Sequence, residues 1–356
     1  MVRAVNTGEI RWPAEWEPHQ GVWTAWPFDA ELWGAQLAGA QAEVAGMCRA
    51  IADPGPDGRP RGEPVWVLVP DAEVEAGAAE ALAGCGVAFF RIPYGDIWLR
   101  DTGPIFREVS GKLEAACFGF NGWGGKYRLP HDAEVAGRVA ASNQGVSAYA
   151  ADWILEGGAI DGDGAGTILT TRQCLLNPNR NPRLDASGVE NNLRRDFGAD
   201  RILWLTEGLA ADHTDGHVDN IARFIGPGRV LCMEAKGADD PNREVLGRIR
   251  GELEAFRDRD GNRMEIVTVP SAGRVLDAEG ALMAASHVNF TIGNRTVVVP
   301  LYPGSDAEAL LPVLETAFPG RRVVGLPAWH LLHGGGSFHC ITQQVPAVPA
   351  LPGDAD

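Results

Sequence analysis

A cysteine stands near the C-terminal end of this 356-residue chain, in the stretch LLHGGGSFHCITQQ, residues 331–344. Three consecutive glycines, Gly334, Gly335 and Gly336, come just before it. Glycine lets backbone approach a ligand closely or take positive φ, so Cys340 reads as a thiol set beside a turn. The plainer reading is a small core side chain, which describes most isolated cysteines. What weighs against it is a set of partners elsewhere in the chain. In DHTDGHVDNIARF, residues 212–224, His217 and Asp219 lie two apart and would share a face of a strand. GDIWLRDTGP, residues 95–104, gathers Asp96, Trp98, Arg100 and Asp101 before a Gly-Pro stop; an Arg100–Asp101 surface pair beside a packed Trp is the alternative there. LEGGAID, residues 155–161, puts Glu156 ahead of two glycines, where a turn with a solvated acid would also fit. ASHVNF, residues 285–290, brings Asn289 to the head of a strand, and a buried structural asparagine is the plainer reading.

These residue types suit one kind of chemistry. A thiolate is strongly nucleophilic even as a minor species, and histidine moves protons near neutral pH. Converging carboxylates would hold a planar cation such as a guanidinium, which offers five N–H donors in a rigid fork. Attack then requires that plane to face the sulfur. A metal centre is the competing use, with His213, His217 and Asp219 as ligands and His330, His333 and His339 near Cys340. The tight pairs of zinc sites, H-E-x-x-H or C-x-x-C, are absent, so the metal reading is the weaker one. The glycine-rich FNGWGGKY, residues 120–127, lacks phosphate-loop spacing. It reads as a lid or wall that carries Trp123.

The elements that would position these residues alternate strand and helix. A short apolar strand at 21–26 leads the series. Strands follow at 65–70 and 87–93 and are clearest at 166–171, 201–205, 229–234, 264–269, 296–301 and 322–326; helices are read at 35–52 and 72–84 and are clearest at 241–256 and 306–318. The charged Gly/Pro segment 53–64 is a surface loop inside a domain, because a strand follows at once. Five strand–loop–helix–strand units emerge, at 21–95, 103–158, 166–208, 219–271 and 289–329. They are too uneven for a short repeat. The pattern means α/β. A radial arrangement would bring five unit ends to one centre; a doubly wound sheet is the other solution.

Composition narrows the partners. The chain is 45% hydrophobic and 22% charged, as a globular protein is, with a net charge of −16. That charge disfavours nucleic acid and anionic membranes and suits a small cation. Six scattered cysteines suggest a reducing, cytoplasmic setting. The N-terminal segment has no signal-peptide core, and no apolar run approaches membrane-spanning length.

Taken together, WPAEWEPH, DIWLRDTGP, FNGWGG, LEGG, TDGHVDN, SHVNF and GGGSFHCITQQ resemble the agmatine deiminase family of guanidine-modifying penteins, which is also similar to bacterial peptidylarginine deiminases. The resemblance runs from about residue 12 to residue 344, in the family's motif order. It implies a five-bladed α/β propeller with pseudo-fivefold symmetry. It implies one catalytic domain over 1–356 with short flexible termini, no cofactor, no metal, and a small cationic guanidino substrate, agmatine; a homodimer stays open. By motif, Cys340 is the nucleophile, His217 the acid/base, and Asp101 and Asp219 the guanidinium-binding carboxylates. Glu156 matches the acid before Gly-Gly and Trp98 the aromatic that flanks substrate. Trp123 and Asn289 join the candidate substrate contacts.

On this reading Cys340 attacks the central guanidine carbon, His217 protonates departing ammonia, and water then releases the product from a thiouronium intermediate. Carboxylates near Cys340 should raise its pKa, and a bound cation should lower it again. The sequence departs from the family pattern at His213, where the family often carries an acid tied to the substrate's distal amine, and at Asp215, where it carries Asn. Asp212 and Asp215 could supply the distal charge instead, with strand alternation putting Asp215 on the face of His217. A protonated His213 would favour arginine or peptidyl-arginine. A metallohydrolase and a non-catalytic guanidine-binding module are the remaining alternatives.

Overall fold

The computed structural model describes residues 10–258 and 260–348; the termini expected to be flexible lie mostly outside the described residues. Among the described residues the strands form five separate sheets, which excludes a single doubly wound sheet. The sheets share one order. A leading strand runs antiparallel to a second, a helix crosses over, and a third strand lies parallel to the second.

The order is seen in Ala222–Gly226, Arg229–Glu234 and Glu265–Pro270 around the helix Arg243–Ala255. It recurs in Ile160–Gly162, Thr167–Thr171 and Arg201–Leu205 around Ala186–Phe197, and in Thr291–Ile292, Thr296–Leu301 and Arg322–Pro327 around Ala307–Ala317. In Ile105–Val109, Lys112–Gly119 and Ser147–Ile154 the crossing helix is Asp132–Ser142, and Ile10–Arg11 adds an edge strand. The remaining sheet takes its leading strand from the other end of the chain: Thr342–Pro346 pairs antiparallel with His19–Ala25, which continues to Val65–Val69 and Ala88–Arg91.

Local chemistry accounts for the boundaries. Runs such as TVVVPL are β-branched and buried on both faces, as a middle strand between sheet neighbours and helix should be. Asp71, Asp185 and Asp306 accept backbone N–H bonds at the first turns of their helices. Gly198 ends its helix in the left-handed region, at φ 65°. Apolar side chains from sheets and helices pack into three buried clusters. Among the described residues, no helix is long and apolar enough to cross a membrane.

The arrangement has a consequence for the site. The segment just ahead of each leading strand carries one of the candidate groups. Asp101 precedes Ile105–Val109, Glu156 precedes Ile160–Gly162, and His217 and Asp219 precede Ala222–Gly226. Asn289 precedes Thr291–Ile292, and Cys340 precedes Thr342–Pro346. Equivalent positions in five sheets thus each hold one part of the chemistry.

Candidate active site

Cys340 lies on a cavity of about 360 Å³ and is itself 4% exposed. The short helix Trp329–His333 ends at the glycine triplet, and the chain then turns into the strand Thr342–Pro346. A Cβ on Gly336 would stand 2.6 Å from the Trp98 ring and 3.1 Å from Cys340 Sγ, so only glycine allows backbone, indole and thiol to meet. Asn289 holds the cysteine from the other side. Its Nδ2 donates to Cys340 Sγ at 3.1 Å, and its Oδ1 accepts from the Cys340 backbone N–H at 3.3 Å. The side chain read as plain structure is therefore the hydrogen-bond partner of the thiol.

Asp101 sits in the single-turn helix Leu99–Thr102. It does not pair with Arg100, whose guanidinium turns to Gln344 and the His339 carbonyl. Asp101 instead accepts from Gly158 N–H and Trp123 Nε1, each at 2.9 Å, and its Oδ2 is 3.8 Å from His217 Nδ1. Asp219 Oδ2 accepts from His339 at 2.7 Å and lies 3.6 Å from Cys340 Sγ. The far nitrogen of His339 meets Glu15 at 2.9 Å. Gly158 marks the convergence: a Cβ there would come within 2.6 Å of His217 Nδ1 and 3.0 Å of both Asp101 and Asp219. That close approach explains the second glycine of LEGG.

Glu156 is fully buried, and its Oε1 accepts from Arg180 Nε at 2.5 Å. Its other oxygen, Oε2, and Asp219 Oδ1 accept no hydrogen bond among the described residues. Buried carboxylate oxygens without donors are costly, and a planar fork of N–H groups is the ligand that would relieve both. The acceptors, the imidazole and the thiol meet at one place, next to the cavity that Trp98 and Trp123 help to line. Trp123, expected in a lid or wall, is part of that wall and takes φ 51° to reach Asp101.

Electrostatics follow from burial and charge. Burial, then Asp219 and Asp101, push the Cys340 thiol well above its usual range. Burial raises Asp101 too, against His217. Burial also penalises the His217 imidazolium, but Asp101, Cys174 and Glu156 outweigh it and lift its pKa well above the ordinary value. Asp219 is held below its usual value despite burial, mainly by the His339 hydrogen bond and charge. In the free protein these shifts favour a neutral thiol and a charged imidazolium.

Two expectations need correction. Residues 212–221 are not a strand. Asp215 and Gly216 take positive φ, 66° and 86°, and Val218–Asn220 is a 3-10 turn, so side-chain alternation does not apply. Asp215 points to Lys126 and Arg180 at 2.6 Å each and to Asn179 at 3.0 Å. Those hydrogen bonds overcome burial and bring its pKa to about 2. Asp212 accepts from the Thr214 backbone and hydroxyl and from Asn220. Neither acid lines the cavity, whereas His213 does, with its ring against Tyr127.

The metal reading fares no better in geometry. His330 bonds Gln36, His333 bonds the Trp329 carbonyl, and His339 lies between Asp219 and Glu15. Among the described residues, the ligand atoms that do gather, within 4.8 Å, are those of Glu156, Cys174 and His217. The Arg180 guanidinium on Glu156 opposes a further cation there.

Sequence reading missed Glu15, Arg180, Cys174 and the pairing of Asp96 with Trp33. The Glu15 motif was visible, but its reach to His339, 324 positions away, was not.

Comparison with known proteins places these residues in context. The family model of Porphyromonas-type peptidyl-arginine deiminase matches residues 11–346. The agmatine deiminase of Pseudomonas aeruginosa strain UCBPP-PA14 is 37% identical over 95% of this chain and 96% of its own length. Among solved structures, the agmatine deiminase of Enterococcus faecalis, described as catalysing its reaction, superposes with a TM-score of 0.89. It is 28% identical, covering 98% of this chain and 99% of that one. A cysteine-to-serine variant of the C. jejuni agmatine deiminase, solved with substrate bound, gives a TM-score of 0.85 at 26% identity, covering 96% and 97%.

Proposed function

The chain belongs to the family of Porphyromonas-type peptidyl-arginine deiminases, and from that premise we propose that it hydrolyses agmatine to N-carbamoylputrescine and ammonia. The observation that carries the reading is one thiol on a cavity, 3.6 Å from Asp219, with Asp101 and His217 converging at Gly158 beside it. The five sheets are read as the blades of a propeller around this centre, in one catalytic domain.

The guanidinium enters with its plane facing Cys340. Asp101, Asp219 Oδ1 and Glu156 Oε2 receive its N–H groups. Its positive charge offsets the nearby carboxylates and brings the thiol pKa down, so the thiol proton passes to solvent on binding and substrate helps to make the nucleophile. The sulfur bonds to the guanidine carbon. His217, held as imidazolium, gives its proton to a terminal nitrogen, and the C–N bond breaks to release ammonia. The resulting thiouronium is attacked by water, with neutral His217 taking the proton. The C–S bond breaks, the remaining hydroxyl proton passes to the departing sulfur, and the carbamoyl product leaves with the thiol restored. Asn289 donates to the sulfur throughout and stabilises it as an anion.

The reading is tested with agmatine, free arginine, arginine peptides and methylarginines assayed for ammonia release. Agmatine is expected to exceed arginine in kcat/KM by at least about tenfold, since one unfavourable buried charge contact costs more than about 1.4 kcal/mol. Equal or reversed preference would remove the agmatine assignment and leave the deiminase chemistry in place.

A further inference from the structure

We propose that Asp96 is the anionic subsite that receives the distal ammonium of the substrate, an inference that rests on the deiminase reading above. With Asp212 and Asp215 committed elsewhere, the only carboxylates lining the cavity among the described residues are Asp96 and Asp101. Asp101 is engaged at the reacting end. A substrate with a second positive charge has one other acid to meet.

The position is suitable. The benzo edge of Trp98 lies against Gly336 beside Cys340, while its Nε1 donates to Asp96 Oδ2 at 2.7 Å. Asp96 is therefore across the indole from the thiol, one ring length and one hydrogen bond away, a span comparable with a four-carbon tail. The stacked rings of Trp33 and Trp98 give that tail an apolar wall.

The carboxylate is also held and charged for the task. Oδ1 accepts from Trp33 Nε1 at 3.0 Å and from Ile97 N–H at 2.8 Å; among the described residues Oδ2 accepts from Trp98 alone. A carboxylate oxygen can accept more than one hydrogen bond, so Oδ2 keeps capacity for an ammonium. All three donors are neutral, and nothing in this set cancels the charge. Burial, with the Asp132 carboxylate behind it, pushes the Asp96 pKa up to about 6, a cost that an incoming cation would relieve. Asp215, by contrast, already has Lys126 and Arg180. An α-carboxylate brought to the same place would face Asp96, so this residue also disfavours arginine.

The test compares agmatine with n-butylguanidine, which keeps the guanidine and tail but lacks the ammonium, in wild type and in Asp96→Asn. Wild type is expected to prefer agmatine in kcat/KM by at least about tenfold. The variant should lose most of that preference, with agmatine falling at least about tenfold further than n-butylguanidine. A parallel fall for both substrates would mean that Asp96 merely holds the two indoles, and would overturn the proposal. If the variant does not fold, wild type still decides: equal kcat/KM for the two compounds overturns it. Absence of agmatine turnover in wild type, with or without n-butylguanidine turnover, would instead remove the substrate reading on which this subsite rests, and the subsite with it.

Discussion

Cys340→Ser is expected to lower kcat for ammonia release by at least about a thousandfold while leaving agmatine binding close to wild type. A serine hydroxyl is almost wholly protonated at neutral pH and lacks thiolate reactivity. Serine still fits the contact with Asn289, and the carboxylates proposed to receive the guanidinium are untouched. Cys48, Cys85, Cys117 and Cys232 lie outside the cavity lining and their substitution should leave turnover intact. Cys174 differs from these four. It packs by His217, so its replacement by alanine should perturb the pH profile moderately without abolishing turnover. Ammonia release and equilibrium binding of agmatine check both parts. A Cys340→Ser protein with kcat within tenfold of wild type would show that the thiol is not the nucleophile.

Asp101→Asn should cost about 3 kcal/mol or more in kcat/KM, roughly two orders of magnitude. Both carboxylate oxygens already accept a hydrogen bond, from Gly158 and Trp123. An amide can satisfy one of these and must turn its NH2 toward the other donor. It also removes the negative charge that faces His217 and the incoming guanidinium. Trp123→Phe is the control, since it removes one donor and keeps the charge. It should cost far less. Near-normal kcat/KM in Asp101→Asn, or an equal loss in the control, would reduce Asp101 to a structural role.

Much of the fold was legible because middle strands such as Arg229–Glu234 and Thr296–Leu301 are continuous apolar runs with a helix after each. Their boundaries agree with the sequence reading to within a few residues. The leading strands were not legible. Ile160–Gly162 and Thr291–Ile292 are too short to display any alternation. The pairing of Thr342–Pro346 with His19–Ala25 joins the two ends of the chain, and no local pattern announces it.

The site divides along the same line. Cys340, His217, Asp219, Asp101 and Glu156 were found because reactive residue types stand beside glycines at unit ends, and the structure brings them together. Asp215 was misassigned because its partners are Lys126 and Arg180, 89 and 35 positions away. The positive φ at Asp215 also breaks the strand geometry that the assignment assumed. Asn289 was undervalued for a related reason: an asparagine in an apolar stretch looks structural until the thiol 51 positions on is seen to rest on it. Asp96 stood in a recognised motif, yet its exposure to the cavity depends on how Trp33 and Trp98 stack.

The most direct test of a cysteine nucleophile facing a guanidinium pocket is covalent labelling by a haloacetamidine, whose planar amidinium mimics the substrate. Peptide mapping by mass spectrometry should find one label per chain, on Cys340, with activity lost in proportion and agmatine protecting against both. Loss of activity with the label on any other cysteine, or full labelling of Cys340 with activity retained, would contradict the account.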